Sequence, residues 1–380
     1  MQQAGGEEQV VSATVIVSGM VAGTPGQAGA TWAVLQYLLG LARLGHDVHL
    51  VEPVDVVTAA SARYCGQVMD AVGLGNRWCL AAQDGTTAGL SRVELTALAR
   101  RADLLLNVSG MLTDEDVLAN VPVRAYLDLD PGFIQLWHAV EGIDMRFAGH
   151  THHVTIGHGI GTPESPVPDC GIDWICTHQP VVLEHWPRAE RTPTYGFTTL
   201  GNWRGYGSIE HDGVFYGQKV HSVRPLIELP RRTSVPVEAA FAIDPGETRD
   251  LQALQENGWR LLDAAAVGAT PGSYSEFIRA STAELGIAKS GYVAARCGWF
   301  SDRSVCYLAS GRPVLAQDAG FGDLLPVGEG LLSFSDLDTA VAGLETIMGN
   351  YSRHADAARA LAEDVFDSDR VLTSLMSRLS

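Results

Sequence analysis

Short runs rich in Val, Ile and Leu alternate with stretches of helical spacing along the chain, as expected of an α/β protein with parallel sheets. Residues 10–17 are a β-branched run, predicted as a strand, and a glycine-rich loop follows over 18–29. Apolar spacing over 31–44 predicts a helix that Gly45 stops; the strand 47–51, closed by Glu52, completes a parallel βαβ unit. Helices over 58–72 and 92–101 and strands over 103–108 and 123–130 continue the pattern. Between 159 and 193, Gly, Pro, Trp and His occur without a sustained period, which reads as loops and a linker with a domain boundary near 188–193. The alternation then resumes. Strands are predicted over 196–200, 237–243, 259–262, 285–288, 314–316 and 331–334. Helices are predicted over 251–257, 274–280 with Ser273 as cap, and 352–366; Asp336 starts another, and Asp367-Ser-Asp caps the last.

A length of 380 residues, 46% of them hydrophobic, suits two domains rather than one core. The net charge of −18 argues against nucleic acid and against an anionic membrane surface, both of which need a basic face. Met1 to Glu8 is polar and acidic without the apolar core of a signal peptide, and the apolar run 34–44 is too short to span a bilayer. Six cysteines without a Cys-x-x-Cys pair fit reduced thiols in a cytoplasmic protein. Of 26 basic residues only Lys219 and Lys289 are lysine, a skew typical of a high-GC genome. A lysine surviving that background marks a place for a compact ammonium that guanidinium cannot replace, or else a solvated surface.

The densest signals lie between 298 and 322. Ser301 is an N-cap, Asp302 favours the positive end of a helix dipole, and Arg303 and Ser304 add donors in the first turn, where an anion can dock. Gly311 supplies a left-handed stop and Pro313 forbids continuation; the strand 314–316 then ends in Asp318-Ala-Gly-Phe-Gly322. Ligands of open α/β sheets sit beyond the carboxyl ends of strands, so helix start and glycine loop face one crevice. An ordinary αβ unit with well-chosen caps is the alternative.

A helix, Ala309-Ser-Gly-Arg-Pro-Val314, a strand, Gly320-Phe321 and Gly328-Glu-Gly-Leu-Leu332 together resemble the nucleotide-sugar site of bacterial GT-B glycosyltransferases. The likeness covers about 292–366, and the opening glycine loop more weakly. It implies two Rossmann-like domains facing a cleft: 1–190 for the acceptor, 191–365 for the nucleotide-sugar, and a closing helix over 366–380 that crosses back to the first. The implied activity is transfer of a hexose from a nucleotide-sugar to a small-molecule or glycan acceptor, with the nucleotide-sugar as co-substrate and no other cofactor or metal. Implied donor contacts are Thr199, Asn202 and Trp203 in the first loop of the second domain, Lys219, Lys289 and the Ser301-Asp302-Arg303-Ser304 turn at the diphosphate, and Gly320 and Phe321 at the sugar. Trp203 serves equally as a core anchor. Many members hold the ribose with a Glu in this helix, and Cys306 stands there instead. A GT-B-type epimerase and a catalytically silent nucleotide-sugar-binding homologue are the rival expectations.

In the first half, glycines 19, 23, 26 and 29 miss the Gly-x-Gly-x-x-Gly spacing of a nicotinamide site, yet such a loop can cradle phosphate or admit a substrate to the backbone. Asp128 and Asp130 are placed on one face at a strand's carboxyl end, open to structural, catalytic or metal-binding roles. His150 and His152 are expected on one side of a strand and His153 on the other, with His158 beyond; no spacing completes a zinc set. Asp130 and His152 are the candidate general bases.

Overall fold

The computed structural model describes residues 12–190 and 192–380; the polar start at Met1 to Glu8, and Val10 and Val11 of the first expected strand, lie outside them. The first sheet contains β1 (Thr14–Ser18), β2 (Asp47–Val54), β3 (Trp78–Ala82), β4 (Thr87–Gly89), β5 (Leu104–Val108), β6 (Val123–Asp128), β7 (His152–Thr155) and β8 (Trp174–Cys176). Their order is β4-β3-β2-β1-β5-β6-β7-β8, parallel except for the β3/β4 pair. After β9 (Tyr195–Asn202) comes a hairpin, β10 (Ile209–His211) and β11 (Val214–Tyr216). Then follow β12 (Val237–Ala242), β13 (Arg260–Leu261), β14 (Ser281–Gly286), β15 (Val314–Gln317) and β16 (Leu331–Phe334). The second sheet is wholly parallel in the order β13-β12-β9-β14-β15-β16. The order in which strands are added reverses at the parallel pair β1/β5 in one sheet and at β9/β14 in the other, and such switch points open crevices at strand carboxyl ends.

Local chemistry explains most boundaries. Thr58 and Ser91 accept the N3 amides of the helices Ala59–Ala71 and Arg92–Arg101, and Asp336 does so for Leu337–Gly349. The helix Pro271–Ala280 starts three residues before the expected point, because Thr270 is its cap and Ser273 the reciprocal partner inside it. Ala28–Arg43 likewise begins ahead of residue 31. β6 stops at Asp128, so Asp130 lies in the turn beyond, bonded through its N–H to the Asp128 carboxylate at 2.9 Å. β14 begins at Ser281 rather than 285 and carries Glu284 in a fully buried position. The expected helix 352–366 divides into Tyr351–Leu361 and a π turn, Ala362–Phe366.

One apolar cluster runs from β1 and the helix Ala28–Arg43 through Trp186, Tyr274 and Phe277 to Phe300, Phe366 and Leu372, so both sheets share a core. A second cluster, around Phe197, Trp203 and Leu344, backs the second sheet alone. The closing helix, Ser368–Leu379, lies on Ala28–Arg43. A Cβ on Gly40 would meet Leu372 Cδ1 at 2.4 Å, and Arg43 bonds Asp369 at 2.9 Å. Among the described residues no helix is long and apolar enough to cross a membrane.

Candidate active site

Between the carboxyl ends of the two sheets lies a cavity of about 660 Å³. Met20, Gly26, Gly29, Ser109 and Asp130 line it from the first sheet's side; Asn202, Lys289, Tyr292, Asp302 and Arg303 line it from the second's. Four sequence-predicted residues of the second half, Asn202, Lys289, Asp302 and Arg303, and three of the first, Gly26, Gly29 and Asp130, therefore meet at one place.

At its centre Asp130, after β6, meets Lys289, the residue that leads from β14 into the helix Ser290–Ala295. Lys289 Nζ is 3.4 Å from Asp130 Oδ2, and the two side chains are 23% and 24% exposed. Tyr206 OH donates to Asp130 Oδ2 at 2.7 Å, Tyr292 OH donates to Oδ1, and Lys289 Nζ also donates to both phenols. The ammonium lies over the rings of Tyr206, Tyr292 and Phe133, at 4.0, 5.0 and 5.1 Å from their centroids. Burial lowers the Lys289 pKa while Asp130 opposes it; burial and Asp130 both drive the Tyr206 and Tyr292 phenols upward, so both remain donors. Tyr292 stacks on Trp299 at 4.2 Å, and Phe133 seats against Gly291, where a Cβ would meet its ring at 2.4 Å.

Asp128 stands apart from this group. Fully buried, it accepts bonds from Gln135 at 2.9 Å, Thr155 at 2.8 Å and the Asp130 N–H, and so fixes the turn that presents Asp130. Burial pushes its carboxyl up to about 7 against these bonds.

Arg303 reaches the cavity from the first turn of the helix Asp302–Ala309, pinned by Glu284 at 2.6 Å and the Leu200 carbonyl at 3.2 Å. Ser301 caps that helix through the Arg303 N–H. Asp302 faces the cavity with its pKa raised by burial, while Ser304 is buried beside Gln317 and Phe321 in a small crevice at the end of β15.

Several expectations are corrected. Lys219 is buried behind Gly201, where a Cβ would meet its Cε at 2.9 Å, and its Nζ bonds the Ile287 carbonyl rather than facing the cavity. Trp203 is a core anchor whose indole N–H bonds Asp250 at 3.0 Å. Thr199 is fully buried within β9. Gly320, at φ +91°, and Phe321 pack against the Arg296 carbonyl and the Phe300 ring. His152 sits at the amino end of β7 paired with Ala125, away from the crevice, its Nδ1 beside Thr151 Oγ1 at 2.9 Å. His150 precedes the strand, and with His153 it packs on Tyr126, so the expected alternation does not hold. His158 stacks on His178 at 4.4 Å.

The glycine loop divides. Gly26 and Gly29 line the cavity, whereas Gly19 packs on Val34 and the amides of Val21, Ala22 and Gly23 all point at the buried Glu52 carboxylate, at 3.0, 2.8 and 2.6 Å. The expected phosphate cradle therefore holds a side-chain carboxyl group there, its pKa raised by burial against the three N–H bonds. The pattern of the sequence did not reveal Glu52, Glu284, Tyr206 or Tyr292 as functional. A carboxylate at the end or middle of an apolar run was the available signal for the two glutamates. Among the described residues no three or more His, Cys, Asp or Glu converge as a metal site.

No protein-family model matches this sequence, and no curated protein matches it. Solved structures do. An alpha-glucosyltransferase in complex with UDP and a 13-mer DNA is similar over 97% of this chain and 100% of its own, with 11% identity and a TM-score of 0.62. The Anabaena protein HepE, in complex with UDP and glucose, is similar over 97% and 99%, with 11% identity and a TM-score of 0.60. A glycosyltransferase from Rickettsia africae matches over 97% and 98%, with 10% identity and a TM-score of 0.52. Two parallel Rossmann-like sheets meeting at their carboxyl ends, superimposable along nearly the whole chain on these enzymes, give this protein the GT-B glycosyltransferase fold.

Proposed function

We propose that this chain is a glycosyltransferase that moves a hexose from a nucleotide-sugar, held against the second sheet, to an acceptor at the first. The observation that carries the reading is the pairing of opposed chemistries across one cavity: Lys289 and Arg303 on one wall, the Asp130 carboxylate on the other. The two cations would neutralise the diphosphate as it departs, a stabilisation that requires no covalent step. Asp130 would accept the acceptor's proton as its oxygen attacks the sugar, a role that contributes typically 10²–10⁴-fold. Because similar structures hold UDP or UDP-glucose, a uridine donor is the reading to test first. One of them is bound to DNA, so the fold itself leaves that acceptor class open; the net charge of −18 favours a small molecule or glycan in this chain. Side-chain cations at the diphosphate favour a metal-independent reaction, and the thiol usage favours the cytoplasm.

The test is a thermal-shift panel of UDP, GDP, dTDP and ADP with and without EDTA, followed by an assay for nucleotide released only when an acceptor is added. A ligand at a hundred times its dissociation constant adds about 2.7 kcal/mol of stability. One diphosphate is expected to raise the transition in EDTA. If none does, the donor-site reading falls.

A further inference from the structure

Resting on the reading above, we propose that Asp130 is an internal anion plug: until a donor displaces it, it occupies the donor-phosphate cation Lys289, and Tyr206 and Tyr292 are the positioning residues that hold it there. Donor binding and exposure of the Asp130 carboxylate are then one event, because the diphosphate must displace Asp130 to reach Lys289.

The geometry is specific. Both Asp130 oxygens are in use, Oδ1 by the two phenols and Oδ2 by Tyr206 and Lys289. All three partners belong to the second half of the chain and Asp130 to the first, so the cluster spans the cleft. Lys289 in turn spends its donors on Asp130, Tyr206 and Tyr292 and lies against three aromatic faces, which leaves an incoming anion no open position on the ammonium. A carboxylate bound by two hydroxyls and an ammonium presents the same recognition as a phosphate oxygen pair. The Gly-rich loop does likewise with Glu52, an independent instance in this fold of an acidic side chain filling an anion-shaped site. Tyr206 reaches Asp130 because its loop, between β9 and the β10/β11 hairpin, crosses the cleft to pack on Phe133 and Trp137.

Calorimetric titration of inorganic pyrophosphate, and separately of UDP, into the wild-type chain, Asp130→Asn, Lys289→Met and the double variant tests the plug. Removing the competing charge is expected to tighten pyrophosphate by about tenfold, the scale of a partly screened ion pair, and the gain is expected to vanish once Lys289 is absent. Tyr206→Phe and Tyr292→Phe, which keep the rings and release the carboxylate, are expected to move affinity in the same direction by less; a purely structural role would leave it unchanged or weaken it. Unchanged, weaker or undetectable pyrophosphate binding in Asp130→Asn overturns the proposal, as does a gain that persists without Lys289. Tightened pyrophosphate with no UDP binding in any form would keep the plug and reject the nucleotide-sugar reading instead.

Discussion

The chain's two lysines have opposite surroundings, and the difference sets what each contributes. Lys289 opens on the cavity, so Lys289→Ala is expected to weaken UDP by about tenfold or more while sparing uridine, the loss of one charge-assisted hydrogen bond; equal effects on both ligands would remove it from the diphosphate. Lys219, sealed behind Gly201, is not expected to discriminate between them. Asp128 gives a pH signature. Burial raises its carboxyl to about 7, against about 3.9 in an unfolded chain, so between those values the native state holds a proton that the unfolded state has released. Its contribution to stability is therefore greatest below pH 4, declines as pH rises to about 7, and is level above. Asp128→Asn is expected to flatten that slope in urea unfolding between pH 5 and 8; an unchanged slope would show the carboxyl ionised throughout. Asp130 and Lys289 were each legible in the sequence as charges at strand ends. Their contact was not, since it depends on how two sheets far apart in the chain are brought together.

Among elements, the loop after β1 shows how a readable motif can conceal its occupant. Its glycines announce a tight approach and exposed amides, but the partner of those amides arrives one helix later, as Glu52 at the end of β2. Glu52→Ala leaves three N–H groups unpaired where they were buried, with a cost of at least ~2 kcal/mol on the scale of unsatisfied donors. Millimolar phosphate is expected to restore part of the lost thermal stability in this variant and little in the wild type; no differential effect would mean the loop collapses when emptied. Caps were legible at Ser301, Asp336 and Asp367, which each bond a backbone amide at the start of their helices, but not at Ser273, which lies inside a helix capped by Thr270. Boundaries set by tertiary pairing were less so. The strand expected from 285 starts at 281, where Ser281 pairs with Tyr195 of β9, and its buried Glu284 is matched by Arg303, a partner no local pattern announces.

For the whole molecule, the shared core has a thermodynamic consequence. Trp186, Tyr274, Phe300 and Phe366 belong to the same cluster as β1 and the helix Ala28–Arg43, so neither half can unfold without exposing apolar surface of the other. A single calorimetric transition is expected; two resolved transitions would show that the halves melt independently. Gly40→Val would drive a branched side chain into Leu372 and Ser368, with a cost of about 1–3 kcal/mol typical of overpacking, and resistance of the last helix to proteolysis is expected to fall with it. An unaltered cleavage pattern would show that the helix is held elsewhere. The docking of Ser368–Leu379 on Ala28–Arg43 also bears on how the protein is made. A chain emerges from the ribosome amino end first, yet the helix Ala28–Arg43 waits for a cover that both sheets precede in translation. During that interval Gly40 lacks Leu372 and Ser368, and a nascent chain stalled before residue 368 carries an uncovered apolar stripe that chaperones would have to shield.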